Sequence, residues 1–124
     1  MESAHPEMYP KGDPITPGER AAVAALVDAL GRHAWAAVRL REVVVFGSRA
    51  RGKARVDSDL DLAVRISGAR DPGVEADIYD AAVEVRLATD IPLSPLVRFD
   101  SEAENPGLAR SVSRDGIVLW SRAA

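Results

Sequence analysis

Two aspartates one residue apart, Asp59 and Asp61, are the side chains in this sequence best placed to do chemistry, and they follow a Gly47-Ser48 bend after ten intervening residues. In an extended strand, residues two apart point the same way, about 7 Å from one another, so these carboxylates can converge on one small cation. Acidic residues are depleted from strands, and like charges this close repel unless a cation lies between them. The intervening stretch carries Arg49, Arg51, Lys53 and Arg55. Gly47 permits close backbone approach to a phosphate, Ser48 adds a hydroxyl, and a short helix over 48–53 would aim its first N–H groups at the same anion. Each feature alone is ordinary: Gly-Ser is a common turn, a strand with one wet acidic face is common, and loop arginines are often merely solvated. Together, a phosphate cradle, local cations and a carboxylate pair describe a site for a nucleoside triphosphate with Mg²⁺.

The elements that must position these groups are legible on either side. Val43-Val44-Val45-Phe46 reads as a strand buried on both faces, covering about Arg41 to Phe46 and breaking at the bend. A second strand over 59–66 alternates Leu60, Leu62 and Val64 on one face with Asp59 and Asp61 on the other. Upstream, Thr16-Pro17-Gly18-Glu19 has the form of a capping box, and Val23, Leu26, Val27 and Leu30 continue at helical spacing to about Gly31. His33 and Trp35 follow, with no second histidine near enough for a metal motif. A loop over 67–73 leads to a helix over 74–87 with Ile78, Ala81, Ala82 and Val85 facing a core. A third strand is predicted over 90–99, with Ile91, Leu93 and Val97 on one face; Pro92 and Pro95 lack backbone donors and confine it to an edge or interrupt it. A short helix over 106–114 and a last strand or extended tail over 117–120 complete the chain. Trp120 there either fills the core or marks a partner surface. Residues 1–15, with Pro6, Pro10 and Pro14, read as a flexible arm, and 16–124 as a single domain. The fold class expected is α/β (α+β), a small mixed sheet of three or four strands with helices on one face.

Composition bounds the function. At 124 residues the chain is one domain, able to bury about two-thirds of the surface it exposes when unfolded. It has no cysteine, which excludes disulfides and thiolate metal sites. No apolar run approaches the ~20 residues needed to cross a bilayer, and Glu2, His5, Pro6, Glu7 and Pro10 at the start do not form a secretory signal. A cytoplasmic address without membrane association is the expectation. A net charge of -3 argues against general nucleic-acid binding, which rests on a broad basic face.

Gly47-Ser48, ten residues, then Asp59-Leu60-Asp61 resembles the signature of the DNA polymerase β-type nucleotidyltransferase superfamily, and within it the minimal nucleotidyltransferases, small proteins encoded beside HEPN-domain partners. The preceding helix and the closing Arg114-Asp115-Gly116-Ile117-Val118-Leu119 extend the likeness over 17–121. The resemblance implies a polymerase β-like fold and nucleotidyl transfer, in which a hydroxyl attacks the α-phosphate of a nucleoside triphosphate, with ATP the expected substrate, and pyrophosphate leaves. Two Mg²⁺ ions about 3.5–4 Å apart would stabilise the attacking and leaving oxygens. Asp59 and Asp61 would be catalytic and hold the metal, Gly47 and Ser48 would bind the β- and γ-phosphates, and Arg49 or Arg51 would offset developing charge. The family's third carboxylate has no evident equivalent: its position falls on Pro92 or Ser94. Asp90 shares their strand parity about 7 Å further back and is the candidate substitute.

The acceptor implied is a hydroxyl, commonly a tyrosine, on a HEPN-type toxin for which this chain would be the antitoxin. A module without a competent base that binds nucleotide and sequesters the partner is the alternative. A small-molecule acceptor would need a pocket completed by a homo-oligomer, and the sequence leaves the oligomeric state open.

Overall fold

Thr16 opens the first helix as its residue pattern implies. Its hydroxyl accepts the Glu19 N–H at 3.0 Å, the Glu19 carboxylate accepts the Thr16 N–H at 2.9 Å, and Pro17 enters the first turn of α1 (Pro17–Leu30). The computed structural model describes residues 14–50, 52 and 59–122, excepting the side chains of Ser48 and Arg49. After α1, a six-residue helix α2 (Ala34–Arg39) runs directly into β1 (Leu40–Val45), and one turn of helix, α3 (Gly47–Ala50), follows. Then come β2 (Leu60–Ile66), the long helix α4 (Pro72–Thr89), β3 (Leu93–Phe99), α5 (Pro106–Asp115) and β4 (Ile117–Ser121). Helices α4 and α5 repeat the device used at α1: Asp71 accepts the Gly73 N–H at 2.9 Å, Asn105 accepts the Leu108 N–H at 3.0 Å, and a proline follows each cap.

The four strands form one mixed sheet in the order β3-β2-β1-β4. β1 is antiparallel to both β2 and β4, whereas β2 and β3 run parallel, because α4 carries the chain back between them. Leu60, Leu62, Val64 and Ile66 of β2 and Val43 and Val45 of β1 are buried in one cluster with α1 (Val23, Leu26, Leu30) and α4 (Val74, Ile78, Val85). Truncating a fully enclosed leucine such as Leu26 to alanine costs roughly 2–5 kcal/mol in such a core. Both the mixed four-stranded sheet and the edge position of the proline-bearing strand agree with the sequence reading.

The second face of the sheet is not bare, which amends the expectation of helices on one face only. Val44 and Ala63 pair across β1 and β2 and are 3% and 1% exposed. The end of α5 closes over Val44: a Cβ on Gly116 would lie 2.8 Å from Val44 Cγ1. Nor does the arm reach residue 15, since Ile15 is 1% exposed and packed in the core. The rest of the predicted arm, 1–13, lies outside the described residues.

Trp35 donates to Asp77 Oδ2 at 2.8 Å and His33 stacks on its ring with centroids 6.0 Å apart, so this pair ties α2 to α4. Trp120 packs half-buried against the core, with the Arg122 guanidinium 5.3 Å above its ring. No helix among the described residues is long and apolar enough to cross a membrane.

Candidate active site

The ends of β1 and β2 meet where the chain bends. Phe46 N–H donates to the Asp61 carbonyl at 3.0 Å, and the next residue, Gly47, takes a φ of +78°, in the left-handed region that side chains other than glycine rarely occupy. A Cβ on Gly47 would lie 2.7 Å from Asp61 Oδ2. The Asp61 carboxylate therefore rests against the bare backbone of the bend, in space that any side chain at position 47 would take.

Asp61 is half-buried on the second face of β2, and Asp59 is exposed just ahead of that strand. Burial pushes the Asp61 carboxyl above its usual range, and the neighbouring charge of Asp59 pushes it the same way. Among the described residues neither carboxylate has a hydrogen-bond or ion-pair partner. An acidic pair desolvated on one side, mutually repelling and offering only oxygens, has the donor chemistry that suits Mg²⁺. Two carboxylates leave most of an octahedral shell to water and phosphate oxygens.

Of the residues singled out in the sequence, the fold brings Gly47 and Asp61 together, with Asp59 two residues away on the same ribbon. Ser48 and Arg49 begin α3, their side chains lying outside what is described, and Arg51 lies outside the described residues altogether.

Asp90 is a correction. It is not part of a strand: it is the C-cap of α4, exposed, with φ 63°, its N–H donating to the Arg86 carbonyl at 2.8 Å. β3 begins only at Leu93, so the strand parity assigned to Asp90 does not exist. Asp59, Asp61 and Asp90 do not form a three-carboxylate metal group; among the described residues there is none. The physical reason is that α4 runs on through Thr89, whose hydroxyl donates to the Val85 carbonyl at 2.7 Å, and ends on a left-handed residue, a conformation that aspartate tolerates.

Register then decides between the two other candidates. Asp61 pairs with Ser94 in the parallel ladder, which places the serine on the adjacent strand, on the same face, about 4.8 Å away between backbones. Pro92 instead accepts the Leu60 N–H at 3.0 Å.

Sequence reasoning missed a second feature of this face. A cleft of about 730 Å³ opens between the sheet and α5, lined by Glu42, Arg65, Arg98, Asp100, Val112 and others. Arg65 and Arg98 stand abreast in the β2–β3 register. Their wide spacing in sequence gives no hint of it. Arg65 is held by Asp100 at 2.8 and 3.3 Å, and Arg98 by Glu104.

With this geometry in place, comparison with known proteins is informative. A family model described as polymerase beta nucleotidyltransferase matches residues 36–124. No curated protein matches the sequence significantly. Among solved structures, a toxin-antitoxin with AMP-PNP aligns with TM-score 0.59 at 19% identity, covering 83% of this chain and 73% of that one. A mutant of the toxin-antitoxin MntA-HpeT aligns with TM-score 0.58 at 18% identity, again over 83% and 73%. At such identity the likeness is one of fold. The family match, by contrast, runs from α2 through the whole sheet and includes the bend and both aspartates, and the protein belongs to the polymerase beta nucleotidyltransferase family.

Proposed function

We propose that the protein is a Mg²⁺-dependent nucleotidyltransferase that moves AMP from ATP to a hydroxyl on a HEPN-type toxin in the cytoplasm, and so serves as its antitoxin. The observation that carries this reading is the Asp61 carboxylate seated on the bare backbone of Gly47, with the charge of Asp59 close enough to raise its proton affinity. The fold likeness to toxin-antitoxin structures, one of them with AMP-PNP, supports the choice of partner and nucleotide.

In this mechanism Asp59 and Asp61 hold the metal, and Gly47 lets the triphosphate approach the backbone. Ser48, Arg49 and Arg51, assigned to the phosphates from the sequence motif, would balance the charge that develops as pyrophosphate leaves. Mg²⁺ bound there supplies charge compensation at the attacking and leaving oxygens. Ser94, beside Asp61, is too weak a base to take the acceptor's proton. A phenol, with a pKa of about 10, gives up its proton more readily than an alkyl hydroxyl. Tyrosine, whose proton can pass to solvent water, is therefore the acceptor that asks least of this site.

A second reading is favoured by the same serine: a module that binds nucleotide and sequesters its partner without transfer. The two separate on incubation with Mg²⁺, ATP labelled in its α-phosphate, and the product of the adjacent gene. Label on the partner, lost in Asp61→Asn, supports transfer. A stable complex that stays unlabelled supports sequestration.

A further inference from the structure

The chain holds two tyrosines, Tyr9 and Tyr79. Tyr79 is 42% exposed on α4, and α4 packs through Val74, Ile78 and Val85 on the sheet face that carries Leu60, Leu62 and Val64, opposite to the face of Asp61. The sheet stands between that phenol and the carboxylate pair. Tyr9 belongs to the segment 1–13, and the described residues show where that segment joins the fold. A Cβ on Gly52 would lie 3.6 Å from Pro14 Cβ, so the chain ahead of Pro14 enters beside the connection from the Gly47 bend to Asp59. Ile15, buried in the core, fixes the entry point. Gly52 is itself near the bend: α3 carries the chain from Gly47 to Ala50 in one helical turn, which leaves Gly52 no more than about 12 Å from Gly47. From Pro14 back to Tyr9 the chain spans up to about 17 Å when extended. That length reaches the Asp61 carboxylate seated on Gly47.

We propose that Tyr9 is a modification site of this protein, nucleotidylated by the chain that carries it. The inference rests on the nucleotidyl-transfer reading and adds to it a second acceptor. The phenolic oxygen of Tyr9 forms a bond to the α-phosphorus of a nucleoside triphosphate, the bond from that phosphorus to the β-bridging oxygen breaks, and pyrophosphate leaves with the electron pair. The phenolic proton passes to solvent water. A phenol asks least of a site whose neighbour on β3 is Ser94, and a tethered acceptor meets such a site at an effective concentration in the millimolar range. Tyr9 therefore competes with the hydroxyl of the partner for the same nucleotide, and in the absence of a partner it is the tyrosine that the site meets.

The test uses the full chain without partner, incubated with Mg²⁺ and ATP labelled in its α-phosphate, and followed by intact mass and peptide mapping. The wild type should gain one adenylyl group at Tyr9. Tyr9→Phe should lower labelling by about tenfold or more, Tyr79→Phe should leave it unchanged, and Asp61→Asn should abolish it. Labelling per chain should keep its rate on dilution, as an intramolecular reaction does. Label mapped to another residue, undiminished label in Tyr9→Phe, or a rate that falls in proportion to dilution overturns the proposal. A parallel incubation with the product of the adjacent gene separates this failure from that of the reading beneath it. A chain that stays unlabelled while the partner is labelled overturns the proposal and leaves the transfer reading intact. If neither is labelled, the transfer reading falls and self-modification with it.

Discussion

The two ends of the sheet's second face are built on opposite electrostatic rules. At the far end Arg65 faces Asp100 in a forked contact and Arg98 faces Glu104. Every one of these arginines is answered by a carboxylate. Four residues back along β2, about 13 Å by strand rise, Asp61 and Asp59 have no ion-pair partner among the described residues, and burial and repulsion both act against the charge on Asp61. A protein selected for stability alone has no reason to leave that arrangement in place. The balanced end is tied by ion pairs among its own side chains, whereas the acidic pair is the one that the proposed mechanism assigns to a cation. Carboxylates raised by burial and a neighbouring like charge are found often at functional sites.

The contrast is sharpest under Asp61→Asn. In the proposed mechanism this removes a metal ligand and should lower transfer by roughly 10³-fold or more, measured by label incorporation. The metal-free protein should melt no lower than the wild type, because an unfavourable charge has gone. A large fall in melting temperature would show that Asp61 is structural.

Gly47→Ala attacks the same end through the backbone. Its methyl would meet Asp61 Oδ2 and sit at a positive φ, a strain of roughly 1–3 kcal/mol. Chemical denaturation should register that loss, along with weaker nucleotide binding. Asp100→Ala breaks the balanced end instead. Arg65 and Asp100 are both partly exposed, so the loss should be under about 1 kcal/mol, with transfer unaltered.

The smallest effect is in pH. The carboxyl of Asp61 has a folded-state pKa above its unfolded value, so its contribution to stability is fully present below the unfolded value. It is lost as pH rises through the raised one. With metal chelated, the melting temperature of the wild type relative to Asp61→Asn should therefore rise as the solution is acidified through the carboxylate range. Saturating Mg²⁺–AMP-PNP at neutral pH should raise the wild type above Asp61→Asn.

How much of this was legible in the sequence depends on the distance over which each feature is decided. The box from Thr16 to Glu19 and the alternation of Asp59 to Val64 are decided by neighbouring residues, and both were readable. The family resemblance was carried by the short motif around them. What ends α4 is also local: Ile91, Leu93 and Val97 suggest a strand from Asp90 on, whereas the helix runs through Thr89 and closes on Asp90 in the left-handed conformation. The pairing of Ser94 with Asp61 is set by how α4 returns the chain to β2, which no window of sequence contains. The same holds for the burial of Ile15 and for the closure of α5 over Val44.

The strand order also has a consequence for how the protein is made. β1 is flanked by β2 and by β4, and β4 is the last strand synthesised. Arg122 then donates to the Leu40 and Ala36 carbonyls at 3.0 and 3.2 Å, fastening the end of that strand to the start of β1. For several seconds at ordinary rates of translation, one edge of β1 waits on the ribosome with its hydrogen-bonding groups unclaimed. An unpaired strand edge is a template for wrong pairing, and β1 keeps one until β4 is in place.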